Sequence, residues 1–460
     1  MTKLRLAIVG AGPAGIYAAD ILLKAERNFE VSIDLFDHLP APYGLVRYGV
    51  APDHPRIKGI INALRDVLDR GDIRLFGNVQ FGTDITLDDL KKHYNAVIFS
   101  TGAVRDASLN IPGIELEGSY GAAEFVSWFD GHPDFPRTWP LEAREVAVIG
   151  NGNVALDVSR ILAKHADDLL PTEIPANVYD GLKASPVTDV HVFGRRGPTS
   201  VKFTPLELRE LGELRDVDMI LHEEDFDYDD AARAAVASNK QVFVIDKVMN
   251  QWRQRPVGEA SRRLHLHFFA KPLEIVDDGS GRVGAIRYER TAPDGEGGVA
   301  GTGEIREVPI QAVYRAVGYF GTQLPGIPFD KRRGIIPNRE GQVLRKADPT
   351  SGSAGWTEQM YGVYATGWIK RGPVGLIGHT KSDAMETIRH VINDLGNWWR
   401  PESPSEQSVS DLLDSRGIKY TDLDGWHNLD QHEIGLGSGE GRARVKVVPR
   451  DDMVRISRAE

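Results

Sequence analysis

The chain has no cysteine among its 460 residues. Without thiolates it cannot hold an iron–sulfur cluster on protein sulfur, form a redox-active disulfide or carry a structural disulfide. No group of side chains stands out with the spacing of metal ligands or of a nucleophilic triad. We therefore expect no metal site and no chemistry that depends on cysteine.

The chain also lacks an excess of positive charge, with 55 basic against 66 acidic residues, and it lacks long apolar runs. The formal net charge is −11, which argues against a nucleic-acid partner because phosphate contacts need a basic face. There is no stretch of 18 apolar residues, and the N-terminus enters an apolar run at Leu4 without a basic-then-apolar leader. We expect a cytoplasmic protein that neither spans a membrane nor is secreted. With 41% hydrophobic residues, the chain can bury the cores of two or three domains.

Two glycine-rich segments begin at Gly10 and Gly150. The first reads Gly-Ala-Gly-Pro-Ala-Gly and the second reads Gly-Asn-Gly-Asn-Val-Ala. Each follows a short apolar run and precedes a segment with helical spacing of apolar residues. Such a strand–turn–helix lets the backbone approach a pyrophosphate, which the N-terminus of the helix then stabilises. We call each of these glycine-rich segments a fingerprint. The sequence thus predicts two bound dinucleotides.

The residues at the next strand end distinguish the two sites. In the first unit the strand over residues 31–36 ends at Asp37, whose carboxylate would accept hydrogen bonds from an adenosine ribose and repel a 2′-phosphate. In the second unit the strand over residues 189–193 ends in Gly194-Arg195-Arg196, and guanidinium groups suit a phosphate. The first site is therefore interpreted as an FAD or NAD site and the second as an NADP site.

The order of these segments predicts an α/β chain in which one domain interrupts another. Residues 1–105 hold the first fingerprint and end in an apolar strand followed by Ser-Thr-Gly. Residues 106–322 hold the second fingerprint. Residues 323–400 contain another apolar strand, which ends in the similar sequence Ala-Thr-Gly, and we expect this segment to complete the first domain. Residues 401–460 are polar, and their role cannot be read from the sequence.

Six sequence blocks in this order resemble the adrenodoxin-reductase type of ferredoxin–NADP reductase, including its mycobacterial relatives. The blocks cover residues 44–47, 50–55, 150–157, 194–198, 204–208 and 367–378. The resemblance implies two nested three-layer Rossmann-like domains, with FAD bound by residues 1–105 and 323–400 and NADP(H) bound by residues 106–322. It also implies electron exchange between NADPH and a small iron–sulfur protein, in which FAD carries out the hydride and single-electron steps.

The same resemblance, together with the fingerprints, assigns candidate cofactor contacts. The FAD contacts are Gly10, Gly12, Pro13, Ala14, Gly15, Asp37, Gly44, Leu45, Val79, Gly102, Trp368, Gly375, Leu376 and Ile377. The NADP contacts are Gly152, Asn153, Val154, Ala155, Arg195, Arg196, Glu207 and Gly375. The family places His54 near the flavin and Glu207 near the nicotinamide, so these two are the candidate catalytic residues. Each also has a structural alternative: His54 as a loop-ordering residue and Glu207 as a solvated helix position.

The electron acceptor must be a separate protein, because no ferredoxin-like cysteine run is present. A ferredoxin or a flavodoxin is expected, and since ferredoxins are acidic we predict a basic docking patch of Arg253, Arg255, Arg262 and Arg263. Three alternatives stay open at this stage: a flavin monooxygenase, a reductase subunit of the glutamate-synthase type and a non-enzymatic dinucleotide sensor. If the protein is a flavoenzyme, the absence of cysteine excludes a disulfide reductase.

Overall fold

A computed structural model describes residues 3–346, 355–374 and 377–459, with the backbone alone at Ile377. The strands are β1 (Lys3–Val9), β2 (Glu30–Phe36), β3 (Ile73–Phe76), β4 (Ala96–Phe99), β5 (Arg105–Asp106), β6 (Ser119–Gly121), β7 (Glu145–Ile149), β8 (Asp189–Phe193), β9 (Val217–Leu221), β10 (Arg262–His267), β11 (Ala270–Asp277), β12 (Val283–Pro293), β13 (Val299–Pro309), β14 (Ala312–Arg315), β15 (Tyr319–Phe320), β16 (Asn338–Arg339), β17 (Gln342–Lys346) and β18 (Trp356–Ala365).

The helices follow the same chain order. They are α1 (Pro13–Lys24), α2 (Leu45–Tyr48), α3 (Pro55–Lys58), α4 (Ile60–Leu68), α5 (Leu87–His93), α6 (Ala122–Phe129), α7 (Asn153–Ala163), α8 (Ala176–Ala184), α9 (Pro205–Leu211), α10 (Asp230–Ser238), α11 (Lys240–Arg253), α12 (Trp368–Arg371), α13 (Ile377–Asn393), α14 (Glu406–Ser415), α15 (Leu423–Ser438) and α16 (Arg450–Ser457). Within the described residues, no helix is long and apolar enough to cross a membrane.

The chain divides into two compact units. The first comprises residues 1–105, 130–134 and 319–460, and the second comprises residues 106–129 and 135–318. The second unit is thus inserted along the chain into the first, and both contain parallel sheets flanked by helices, which confirms the predicted fold class. Residues 130–134 and 319–322 cluster with the first unit, although the sequence assigned them to the second.

The first unit is built on a seven-stranded sheet in the order β16-β17-β18-β4-β1-β2-β3. The five strands from β18 to β3 are parallel, and β17 and β16 extend the sheet antiparallel. Alternate residues of β1 enter two different buried clusters, Leu6 and Ile8 on one face and Ala7 and Val9 on the other. Burial on both faces explains why this strand appears in the sequence as an almost continuous apolar run.

The second unit contains a six-stranded parallel sheet in the order β6-β14-β7-β8-β10-β9 and a three-stranded antiparallel sheet, β11-β12-β13. Residues from both sheets share one buried cluster, including Ile149 and Phe193 of the parallel sheet and Ile275 and Ile286 of the antiparallel sheet. The antiparallel sheet therefore forms the third layer over this face.

The C-terminal residues are an integral part of the first unit. Trp426 and Leu429 of α15 belong to the cluster on one face of the first sheet, and Val409 and Leu413 of α14 belong to the cluster on the other. Arg416 forms a bidentate ion pair with Asp89, with both nitrogen–oxygen distances at 2.9 Å. The tail, whose role the sequence leaves open, thus completes the core of this unit.

A buried ion pair also fastens the tail to the short helix α2. Arg47 Nη2 lies 2.6 Å from Glu433 Oε1, and the two side chains are 3% and 0% exposed. Lys446 Nζ donates to the carbonyl oxygen of Arg47 at 2.8 Å. The tail therefore holds the segment that contains Gly44 and Leu45, both of which the sequence predicts as cofactor contacts.

Two candidate dinucleotide sites

The first fingerprint connects β1 to α1, as the sequence predicts. Gly10 has a φ of +114°, and a Cβ there would lie 2.5 Å from the carbonyl oxygen of Ser100 at the end of β4. A Cβ on Gly15 would lie 2.1 Å from the carbonyl oxygen of Gly10. Both positions therefore require glycine to keep the turn against the neighbouring strand, independently of any ligand.

Gly12 differs from these two glycines because its backbone is ordinary and its surroundings are open. It precedes α1 with a φ of −78°, and a Cβ there would meet nothing nearer than the Cα of Gly44 at 3.8 Å. Pro13 and Ala14 begin the helix, so the free backbone N–H groups of its first turn face the same opening. The opening lies where the sequence predicts the pyrophosphate, and a side chain at Gly12 would project into it.

Asp37 lies directly beside this turn and is largely buried. Its Oδ2 accepts a hydrogen bond from the backbone N–H of Ala11 at 2.7 Å, and its Oδ1 accepts one from Leu39 at 2.9 Å. The backbone N–H of Val79 donates to the carbonyl oxygen of Asp37 at 2.8 Å. Since a carboxylate has about four acceptor positions, Asp37 keeps acceptor capacity for a ribose while it also braces the fingerprint.

The remaining predicted FAD contacts that the structure describes gather at the same end of the sheet. Gly44 opposes Gly12, and Leu45 begins the short helix α2 beside it. Gly367 approaches closely enough that a Cβ there would lie 2.6 Å from Cβ of Ala14, and Trp368 follows it. Gly102 has a φ of +73°, and a Cβ there would have no atom within 4 Å. Gly375 and Leu376, and the side chain of Ile377, lie outside the described residues.

One buried hydroxyl supports a ligand at this edge. Thr101, in the Ser-Thr-Gly segment after β4, has its Oγ1 buried without a hydrogen-bond partner among the described residues. Buried polar atoms are normally paired, so such an atom points to a group that the protein alone does not supply. His54 is also largely buried, 3% exposed, and precedes α3.

The second fingerprint repeats the turn between β7 and α7. Gly150 has a φ of +154°, and a Cβ there would lie 2.3 Å from the carbonyl oxygen of Ala316. Gly152 has no atom within 4 Å of a Cβ position and precedes α7, which begins with Asn153 and Val154. Ala155 is buried in this helix. The opening found at Gly12 therefore recurs at Gly152, the second glycine of the second fingerprint. We call each of these two openings a glycine cradle.

Arg195 and Arg196 follow β8 beside this turn. Their backbone is fixed, because the carbonyl oxygen of Arg195 accepts from Thr291 Oγ1 at 2.8 Å and that of Arg196 accepts from the N–H of Phe269 at 3.2 Å. Within the part of the chain that the structure describes, neither guanidinium forms an ion pair or a hydrogen bond. Two cations on a fixed backbone are thus available to an anionic ligand.

Glu207 is brought to the same fingerprint by α9. Its Oε1 accepts from Asn153 Nδ2 at 3.2 Å, and Asn153 Oδ1 accepts from the N–H of Thr204 at 2.9 Å. The glutamate is 4% exposed, which excludes the solvated helix position that the sequence left as an alternative. Its role in catalysis stays a prediction.

The predicted docking arginines are less available than the pair at 195 and 196. Arg253 pairs with Glu223 and lies over the ring of Phe226, and Arg263 forms a bidentate ion pair with Asp189. Arg262 donates to the carbonyl oxygens of Ala163 and Lys164. Arg255 is exposed, and its Nη1 lies 3.4 Å from the carbonyl oxygen of Gly212. All four therefore have internal partners, and Arg255, with a single long hydrogen bond, is the least engaged of them.

The structure also reveals a histidine cluster in the second unit, where the sequence led us to expect no metal site. Nitrogen atoms of His191, His265 and His267 all lie within 4.8 Å of one another. Burial lowers the pKa of His191 to about 3, and it also lowers the pKa values of His265 and His267. The spacing His265-Leu-His267 was the available sequence signal, since alternate residues of a strand share a face.

These features define the class of the protein: a two-dinucleotide α/β oxidoreductase of the kind that pairs a flavin with a nicotinamide nucleotide. The family model for pyridine nucleotide-disulphide oxidoreductases matches residues 4–192. Because the chain has no cysteine, it shares this architecture without the disulfide chemistry of the family name.

Full-length relatives narrow the class further. The chain is 39% identical to the NADPH-ferredoxin reductase FprA of Mycobacterium tuberculosis, over 99% of each protein. It is 35% identical to the mitochondrial NADPH:adrenodoxin oxidoreductase of Arabidopsis thaliana, over 98% of this chain and 95% of the relative. The structure of M. tuberculosis FprA in complex with NADPH matches with a TM-score of 0.87 over 99% of both chains. The chain belongs to the family of NADPH-ferredoxin and adrenodoxin reductases, which are FAD-dependent oxidoreductases.

Proposed function

We propose that this protein is an NADPH–ferredoxin reductase that binds FAD in the first unit and NADP(H) in the second. The observation that carries the proposal is the pair of open glycine cradles, one beside a carboxylate and one beside two unengaged arginines. Bound FAD supplies the conversion between a two-electron hydride donor and a one-electron iron–sulfur acceptor.

The residues of the first unit bind and orient FAD. Gly12 and Gly44 leave room for the pyrophosphate, and α1 directs its N-terminal N–H groups at it. Asp37 accepts hydrogen bonds from the adenosine ribose, and Thr101 provides a hydroxyl that the protein leaves unpartnered. The N-terminus of α1 also supplies the positive potential that a pyrophosphate needs.

The residues of the second unit select and position NADPH. Arg195 and Arg196 bind the 2′-phosphate with charge-assisted hydrogen bonds. Glu207 and Asn153, already hydrogen-bonded to each other, hold the fingerprint and the segment after β8 in one arrangement, so we assign Glu207 a positioning role for the nicotinamide. His54 is assigned a positioning role at the flavin end of the first unit.

Anaerobic reduction of a purified ferredoxin by NADPH tests this function. The flavin-loaded protein should reduce the ferredoxin at a rate far above that seen with NADH, and a flavodoxin in a parallel reaction tests the second predicted acceptor. Reduction of ferricyanide with no reduction of any ferredoxin would contradict the proposal. Incorporation of oxygen into an organic substrate would assign a monooxygenase, and NADPH binding without flavin reduction would assign a sensor.

The docking patch is tested separately because its arginines differ in availability. Arg255→Glu should slow ferredoxin reduction and weaken its salt dependence, while ferricyanide reduction stays unchanged. Arg332→Glu makes the same charge change at an exposed position of the first unit and serves as the matched control. Equal loss with both acceptors would contradict a docking role for Arg255. We also propose that the protein is located in the cytoplasm.

A further inference from the structure

Three histidines meet on one face of the parallel sheet in the second unit. Strands β8 and β10 are parallel neighbours, and their register places His191 beside His265. His265 and His267 are two residues apart on β10, so they share that face. The ring centroids of His191 and His265 are 4.2 Å apart, and those of His191 and His267 are 5.3 Å apart. The pairing of the two strands therefore creates this cluster.

One nitrogen pair of the cluster is at the spacing of metal ligands and is joined by a direct hydrogen bond, and the nitrogen of the third ring lies somewhat further away. His191 Nδ1 lies 3.0 Å from His267 Nε2, and one nitrogen from each of the three rings lies within 4.8 Å of the others. Ligands about 2.0–2.1 Å from a tetrahedral zinc ion are roughly 3.3 Å from one another. The three rings are stacked nearly parallel, so binding requires them to rotate out of the stack until their in-plane lone pairs meet at one point.

Carboxylates lie behind two of the imidazoles. Asp189 Oδ1 is 2.9 Å from His265 Nε2, which leaves Nδ1 of that ring for a ligand, and Arg263 holds Asp189 from the other side. Glu145 Oε2 is 3.5 Å from His191 Nε2, on the opposite edge of the ring from Nδ1, and this nitrogen has no hydrogen-bond partner among the described residues, so only the Asp189 contact is a formed hydrogen bond. Metal-binding histidines usually donate their second nitrogen to a carboxylate in this way, because it fixes the ring and its tautomer.

A fourth imidazole lies next to the cluster. His222 follows β9, and its ring is stacked on His267 with a centroid distance of 4.8 Å. Its Nε2 is buried and has no hydrogen-bond partner among the described residues. Buried imidazole nitrogens are normally paired, so this atom is a second, independent sign of a missing group.

We propose that His191, His265 and His267 bind one zinc ion, with His222 as the nearest candidate for the fourth ligand. Three or four imidazoles without a thiolate are a ligand set that zinc accepts. The ion would link β8 to β10 immediately before the arginines that follow β8. His265 is the more exposed of the three ligands, with 16% of its side chain accessible, so the ion would reach the site from its side.

Zinc titration of the flavin-loaded protein after chelator dialysis tests the site. We expect one zinc ion per chain by calorimetry and by elemental analysis after gel filtration. Removing residues that only orient ligands already costs about 10–100-fold in affinity, so His191→Ala and His267→Ala should each weaken binding by about 100-fold or more. His165→Ala, at a histidine of the same unit that pairs with Asp216, is the matched control and should bind like wild type.

Absorption spectroscopy at the zinc edge keeps the test decisive if the variants lose their fold. The wild-type protein should show at least three imidazole ligands at about 2.0–2.1 Å. A zinc environment without imidazole, no binding at stoichiometric zinc, or equal affinity in the cluster variants and His165→Ala would overturn the proposal. In that case the four histidines form a stack of rings whose only role is packing against the sheet.

Discussion

In both units, the first glycine of the fingerprint turns back against the end of a neighbouring parallel strand. Gly10 faces the carbonyl oxygen of Ser100 and Gly150 faces that of Ala316, so neither position has room for a Cβ. The sixth positions differ, because Gly15 is in contact with the carbonyl oxygen of Gly10, whereas the second unit accommodates Ala155 there. The turn is thus common to the two units, and the helix that follows it is packed more tightly in the first.

The two units differ most at the strand end that lies beside the fingerprint. In the first unit Asp37 is buried and accepts two backbone N–H groups. In the second unit the guanidinium groups of Arg195 and Arg196 have no partner within the described residues. We therefore propose that one backbone motif provides the glycine cradle in both units and that the charge at the strand end selects the nucleotide. The carboxylate of Asp37 also holds the turn through its two backbone hydrogen bonds. The guanidinium groups of the two arginines make no such contact within the described residues.

The largest effect is expected from closing one cradle at a time. Gly12→Val and Gly152→Val both place a side chain in open space on a backbone with negative φ, so we expect each protein to fold. Gly12→Val should lose FAD and keep its affinity for NADPH, while Gly152→Val should keep FAD and lose NADPH. Flavin absorbance after gel filtration and calorimetry with NADPH measure the two outcomes. Full FAD content in Gly12→Val would break the assignment of the first unit.

The next effect concerns nucleotide choice. Each hydrogen bond to a charged group contributes about 1.5–3 kcal/mol, and about 1.4 kcal/mol is tenfold in affinity. Solvent exposure and salt reduce this free energy, so we expect the wild type to prefer NADPH over NADH by about 10²-fold or more in kcat/KM. Replacing Arg195 and Arg196 together with alanine should raise KM for NADPH and leave NADH kinetics and kcat nearly unchanged.

Steady-state reduction of ferricyanide with each nucleotide measures this preference. Arg263→Ala is a useful comparison, because that arginine is paired with Asp189 in the same unit and should leave the ratio between the nucleotides unchanged. A double variant that still prefers NADPH would show that the strand end is not the selecting element.

Local sequence patterns predicted the strand–turn–helix units that contain the candidate sites. Gly10, Gly12 and Gly152 lie within single strand–turn–helix units, so the run of apolar residues and glycines was sufficient to place them. The tight turns at Gly10 and Gly15 follow from the same pattern. The fold class followed from the order of these segments.

Long-range contacts were not predictable from one sequence. Arg47 and Glu433 are 386 positions apart and meet only because the tail packs on the first unit. Likewise, the predicted docking arginines find internal partners, such as Arg263 with Asp189, 74 positions away. The contact between His191 and His267 depends on which strands become neighbours, which local spacing does not determine.

The smallest effect expected concerns folding stability. Two carboxylates, one in each unit, should contribute to stability with different pH dependence. In the second unit, burial raises the pKa of Asp106 to about 6, and nearby Glu124 adds to the rise, although the N–H of Ala123 donates to the carboxylate at 2.9 Å. In the first unit, the pKa of Asp89 falls to about 2 despite desolvation, because Arg416 and Thr86 donate to it. The two carboxylates should therefore respond to pH with opposite signs.

Because the folded pKa of Asp106 exceeds its unfolded value near 4, its stabilising contribution is complete below about pH 4 and is lost as the pH rises through 6. Asp106→Asn stays neutral, so it should raise the melting temperature at pH 7.5, by the equivalent of about 1–2 kcal/mol, and change it little at pH 4.

For Asp89, the contribution is present above about pH 4 and is lost as the pH falls toward 2, so Asp89→Asn should lower the melting temperature at pH 7.5. Thermal unfolding of both variants at the two pH values measures the contrast. If Asp106→Asn is destabilising at pH 7.5, the carboxylate there has a favourable charged partner that outweighs its burial, and the contrast between the units fails.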